Sequence, residues 1–169
     1  MNRIAKGIVG EFQYESANTR KMLERVPEDK FDWRPHEKSM TLGRLATHLA
    51  EIPEWCGTIL DQDELDLAGS DYEPRTAGSG AELLELFDAN AAAFIESVSG
   101  RTDEEMLADW TFRVGEKVFG TQPKVGALRS FILSHAVHHR GQLSVFMRLL
   151  DISLPQVYGP TADDAGAFG

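Results

Sequence analysis

The sequence holds one cysteine, Cys56, among 169 residues, so an internal disulfide and a cysteine-rich metal site are both excluded. The fold needs no oxidising compartment, and the expected location is the cytoplasm. Basic residues are also in deficit: 17 Lys and Arg stand against 27 Asp and Glu, a formal net charge of −10. A surface with that balance is not built to neutralise phosphates, which excludes nucleic acid as the expected partner. Long apolar runs are missing too, and none approaches the roughly 18 residues that span a bilayer. The opening stretch, Met1 to Gly10, carries too few consecutive apolar residues for a signal peptide, so no membrane association is expected. A phosphate-cradling loop is likewise lacking. Gly78-Ser79-Gly80 precedes a helical pattern but has neither the strand nor the remaining fingerprint of a nucleotide site, and reads as a turn and cap.

What is present describes one soluble globular domain over residues 1–169, with 42% apolar and 26% charged residues. From Glu51 to Trp110 there are sixteen acidic residues and two basic ones, Arg75 and Arg101. These acids interleave with apolar residues at helical spacing, which suits a solvated face better than a steering surface for a cationic partner.

Apolar residues recur at three- and four-residue steps in four stretches. Ile4, Ile8, Phe12, Met22 and Val26 mark a first helix over residues 3–26, stopped by Pro27. Thr41 caps a second that runs through Leu42, Leu45, Leu49, Ile52, Cys56 and Ile59 to about residue 60, where Pro53 must kink it or force a local adjustment. A connection of nearly twenty residues, Asp61 to Gly80, shows no apolar period and is long enough to cross a bundle lengthwise. Leu83, Phe87, Phe94 and Val98 form a third helix ending at Gly100. Trp110, Phe112 and Val114 alternate before Gly115-Glu116, which suggests a short hairpin or extended lid. Pro123 then opens a last helix striped by Leu128, Phe131, Ile132, Leu143, Phe146 and Leu150 until Pro155. Four long amphipathic helices with long connections define an all-α fold, a four-helix bundle.

The chemistry concentrates in His135-Ala136-Val137-His138-His139 of the last helix. At about 100° per residue His135 and His139 lie within about 20° of Leu128, whereas His138 lies about 80° away. A histidine pair at i and i+4 places two ring nitrogens one turn apart on one face, the spacing that lets them share a metal ion. His48 sits on the apolar stripe of the second helix. Three imidazoles converging from two helices would leave a coordination position open, as in a catalytic rather than structural metal site. The bland alternative, three core histidines each bonded to a neighbour, requires a partner for every ring. Glu51 and Gln142, each three residues after a candidate ligand, are candidates to orient ligands or substrate, with His138 beside them; Glu51 equally suits a solvated charge. Other metal schemes fail on spacing. Ala136 stands where a metalloprotease helix needs Glu, and no Glu lies three residues before either histidine as a di-iron bundle requires. Ser134 is no nucleophile for His135, since adjacent helix positions point apart. Cys56 reads as a small core residue. His36, in a connection, reads as a surface residue.

Taken together, Phe31-Asp32-Trp33-Arg34-Pro35, Met40-Thr41-Leu42-Gly43-Arg44-Leu45-Ala46-Thr47-His48, His135 to Leu143 and Leu154-Pro155-Gln156-Val157-Tyr158-Gly159-Pro160 resemble the DinB superfamily, the DinB/YfiT-like proteins. The resemblance implies an up-down-down-up bundle with a long crossover between helices two and three. It implies metal ligation by His48, His135 and His139, with nickel or zinc as the divalent ion, and a homodimer. Some relatives are thiol-dependent transferases or isomerases in which the metal activates a low-molecular-weight thiol such as bacillithiol or mycothiol. The expectation is therefore a metal-dependent enzyme that activates a thiol or water toward a small-molecule substrate. A non-catalytic metal-binding stress protein and a metal-free helical interaction module are the alternatives.

Overall fold

A computed structural model describes residues 2–69 and 73–164. Its helices follow the apolar periods closely. Helix α1 spans Arg3–Leu23, α2 Leu42–Glu51, α3 Trp55–Asp61 and α4 Gly80–Ser99. Pro53 does interrupt the second stretch, as a single tight turn over Ile52–Glu54 between α2 and α3, because proline has no N–H to donate to the helical ladder. Ser79 caps α4 by accepting from the Glu82 amide at 3.1 Å. A short α5, Asp103–Leu107, follows behind a full capping box of Thr102 and Glu105.

The all-α expectation needs correcting, because the described residues include a three-stranded sheet. Strands β2 (Asp109–Val114) and β3 (Lys117–Pro123) form the antiparallel hairpin that the alternation suggests. Gly115 turns it at φ +59°, in the region where an L side chain is strained. Strand β1 (Glu64–Asp66) lies inside the connection read as structureless and pairs parallel with β2. Acids that look solvated in the sequence are bound here. Arg113 on β2 takes Glu64 through Nε and Nη2, at 3.1 and 2.6 Å, and also pairs with Asp66. Asp66 in turn accepts from the amides of Ala68 and Gly115.

The last helical stretch is not uniform. It comprises α6 (Lys124–Leu128), a π-helical segment (Arg129–Ser134) and α7 (His135–Leu149). A π turn closes with donors reaching back five residues instead of four, so it retards the helical phase. The buried face of α7 is accordingly His139, Arg140, Leu143 and Met147 rather than the Leu128–Phe146 line of a straight helix, and Phe146 is only half-buried. Helix α7 closes with Asp151 at φ 57° while the Ile152 amide bonds back to the Met147 carbonyl.

Helices α1 and α2 each pack against both α4 and α7. Between them lies one cluster of buried side chains, including Leu45, Leu49, Ile52, Phe87, Leu128 and Leu143, with Phe12 stacked on Phe94 at 3.8 Å. Among the described residues no helix is long and apolar enough to cross a membrane.

Candidate metal centre

Helix α2 is fixed from its first turn. Thr41 Oγ1 accepts from the Arg44 amide at 3.1 Å, and the amides of Leu42 and Gly43 bond to the Trp33 and Phe31 carbonyls at 2.7 and 2.9 Å. Gly43 lies so close to Phe31 that a Cβ there would stand 2.8 Å from Phe31 Cβ. This seat presents His48, one turn before the Pro53 break, toward α7. On α7 the π-helical segment ends where His135 begins, and the Phe131 carbonyl within it receives His135 Nδ1 at 3.2 Å. The altered phase puts His135 and His139 at the margin of the core instead of its centre.

The three Nε2 atoms converge. His135 Nε2 is 2.8 Å from His139 Nε2 and 3.4 Å from His48 Nε2, and one ring nitrogen from each residue lies within 4.8 Å of the others. The outward nitrogens determine what the inward ones can be. His135 Nδ1–H donates to the Phe131 carbonyl, and His139 Nδ1–H donates to Gln142 Oε1 at 2.7 Å. Two neutral rings so arranged point lone pairs at each other across 2.8 Å with no proton between them. His48 Nδ1 is buried without a hydrogen bond, 3.9 Å from Glu51 Oε2.

Burial holds all three rings below the ordinary histidine range. For His48, at about 3, burial is followed by the neighbouring rings of His139 and His135 and then by Arg44. Burial likewise lowers His135 and His139, partly opposed by their bonds to Phe131 and Gln142. Neutral imidazoles are the form that ligates a metal. Two nitrogens on one tetrahedral ion at ordinary bond lengths lie about 3.3 Å apart; the His48–His135 separation of 3.4 Å agrees with this, and the His135–His139 pair is tighter. The donor set fits a divalent ion of the borderline class, bound by imidazole alone.

The neighbours divide. Gln142 orients His139 directly. Glu51 is not a solvated charge: it is 3% exposed and held by Arg44 at 2.9 Å and Arg75 at 3.0 Å. His138 is exposed, its ring against that of His139 and outside the converging group. His36 lies on the surface, where its Nδ1 accepts from the Lys38 amide. Cys56 is buried in the core and its thiol is pushed up to about 12 by that burial, which removes it as a nucleophile. Sequence reasoning missed Arg44 and Arg75, whose roles depend on a carboxylate twenty-four residues from Arg75. It also missed the Phe131 carbonyl, which no side-chain pattern reveals.

A mostly helical fold in which two helices bring three histidines together at the edge of the core defines a class of helical proteins with a candidate metal site. Within that class the chain belongs to the DinB family, whose profile matches residues 1–166. It is 24% identical over 158 residues to the uncharacterised protein YrdA of Bacillus subtilis (strain 168), covering 94% of this chain and 90% of that protein. It is 23% identical over 143 residues to the uncharacterised protein YjoA of the same organism, covering 83% and 87%. Among solved structures, a DinB-like protein from Bacillus cereus ATCC 10987 superposes with a TM-score of 0.70 at 25% identity, over 90% of this chain and 97% of that one. The DinB-like YjoA structure gives 0.69 at 19% identity, over 89% and 97%.

Proposed function

We propose that this protein is a metal-dependent enzyme with His48, His135 and His139 as the ligands of one divalent ion, nickel or zinc, in an up-down-down-up four-helix bundle. The observation that carries the reading is the pair of Nε2 atoms at 2.8 Å whose outward Nδ1–H groups are already committed to Phe131 and Gln142. Lone pairs so opposed are unfavourable until a cation lies between them. When bound, the ion supplies Lewis acidity that lowers the pKa of a thiol or water. Gln142 and the Phe131 carbonyl hold two rings in the ligating tautomer, and the apolar core behind them keeps the imidazoles neutral.

A thiol is the better candidate for activation. It ionises near pH 8.5 unaided and needs no base from the protein, whereas water attack benefits from a general base. Ala136 stands where a metalloprotease helix would carry one, and both oxygens of Glu51 are engaged by arginines. The test is an activity screen of zinc- and nickel-loaded protein with low-molecular-weight thiols and small electrophiles, run beside His48→Ala. Thiol transfer that requires both metal and His48 is the expected result. Hydrolysis without any thiol, or transfer retained in His48→Ala, would contradict it.

A further inference from the structure

Beside the histidine cluster lies a cleft of about 440 Å³, within the size range of small-molecule sites. One wall is the connection before α2, with Lys38, Ser39 and Met40; the other is α7, with Val145 and Phe146. His139 and Gln142 line the cleft and belong to the cluster as well.

The walls are pinned in place. Trp33 packs edge-on against Phe146 at 5.7 Å, and the Leu42 amide bonds to the Trp33 carbonyl. The Lys38 amide donates to His36 Nδ1 at 3.1 Å, and the Ser39 amide to the His36 carbonyl at 3.0 Å. Apart from His139, each polar side chain on this lining can donate a hydrogen bond. Lys38 enters no ion pair among the described residues, although acids outnumber bases in the chain and Arg44, Arg75 and Arg140 all have carboxylates. Gln142 gives its carbonyl to His139, which leaves its NH₂ as a donor, and Ser39 adds a hydroxyl. No carboxylate lines the cleft. The remaining surface is apolar, with Met40 40% and Val145 57% exposed.

We propose that this cleft is the substrate subsite of the centre and takes a small amphipathic carboxylate, its anionic end on Lys38 and its apolar part over Met40, Val145 and Phe146. As a substrate subsite it rests on the reading of the cluster as a metal centre; as a binding site it does not, and the test separates the two. The metal-free full-length protein is titrated with 4-phenylbutyrate and with the neutral 4-phenylbutan-1-ol while its amide NMR signals are followed. The acid is expected to bind about fivefold more tightly than the alcohol, the size of a solvent-exposed charge contact. The largest shifts are expected at Ser39, Met40, Gln142 and Val145. Lys38→Met should erase the preference while leaving the alcohol unchanged, and raised salt should shrink it. Equal affinities in the wild type, or a preference that survives Lys38→Met, overturns the proposal. In a second arm the protein is loaded with cobalt(II), and the acid is expected to perturb the visible spectrum. A wild type that takes up no cobalt defeats the metal reading, and with it the subsite role. The metal-free titration still decides the carboxylate site.

Discussion

His139 and Arg140 are adjacent, both buried and both polar, yet their surroundings differ in kind. Arg140 reaches a network that the protein completes by itself. Its Nη1 donates to the Glu15 carbonyl at 2.9 Å and to Thr19 Oγ1 at 3.1 Å, and its Nη2 donates to Glu15 Oε2 and Tyr158 Oη, each at 2.5 Å. Tyr158 closes the ring by donating to the same Glu15 oxygen at 2.8 Å. One position earlier on the same buried face of α7, the inward nitrogens of His139 and His135 face each other as acceptors behind their bonded Nδ1–H groups. A polar group satisfied by its own chain is structural; converging acceptors behind committed donors indicate a site that something else completes. One helix thus carries both a tie between the C-terminal segment and α1 and the candidate metal site.

The largest expected effect lies in the completed network. Arg140→Met leaves the Glu15 carboxylate, its side chain 14% exposed, without its counter-charge, and should lower the free energy of unfolding by about 3 kcal/mol. Urea denaturation measures this, and metal uptake by the folded variant should match the wild type. A neutral substitution would mean that the network is no more than surface decoration.

Acid comes next and acts on the histidine cluster. The three imidazoles are held below their ordinary range by burial, so below about pH 6.5 the unfolded chain gains protons that the native site does not. The metal-free protein should therefore keep full stability above that pH and lose it as the pH falls toward the folded values. With its folded value at about 3, His48 alone accounts for at most about 2 kcal/mol at pH 5. Thermal unfolding from pH 8 to 4, wild type against His48→Ala, should show a shallower fall in the variant. Parallel curves would show that His48 is not a buried neutral ring.

A smaller effect sharpens the comparison beside the cluster. Gln142→Ala removes the acceptor that fixes the His139 tautomer and should weaken metal affinity by at least about tenfold, with almost no change in metal-free stability. Calorimetric metal titration separates these outcomes. An unchanged affinity would relegate Gln142 to the cleft wall.

The long helices were legible because their apolar residues repeat with the helical period, and Thr41, Pro53, Ser79 and Gly100 mark breaks and ends. The hairpin was legible from Trp110, Phe112 and Val114 with Gly115 at the turn. Strand β1 was not, since three residues are too few to show an alternation and its acids look like loop until Arg113 meets them. Nor was the π-helical segment, as Arg129 to Ser134 contains no glycine or proline to signal it. The three histidines could be picked from their spacing, but their position at the margin of the core could not, because straight-helix phase places them at its centre. Glu51 was ambiguous for a similar reason: one of its two arginine partners, Arg75, comes from the connection between α3 and α4, twenty-four residues further along the chain.

The central claim is that three imidazoles from α2 and α7 share one ion. Protein purified without a histidine tag, stripped by chelator and titrated with zinc or nickel, should bind one equivalent. His48→Ala should lose that binding while remaining folded by circular dichroism. Stoichiometric metal retained by a folded His48→Ala variant would contradict the account.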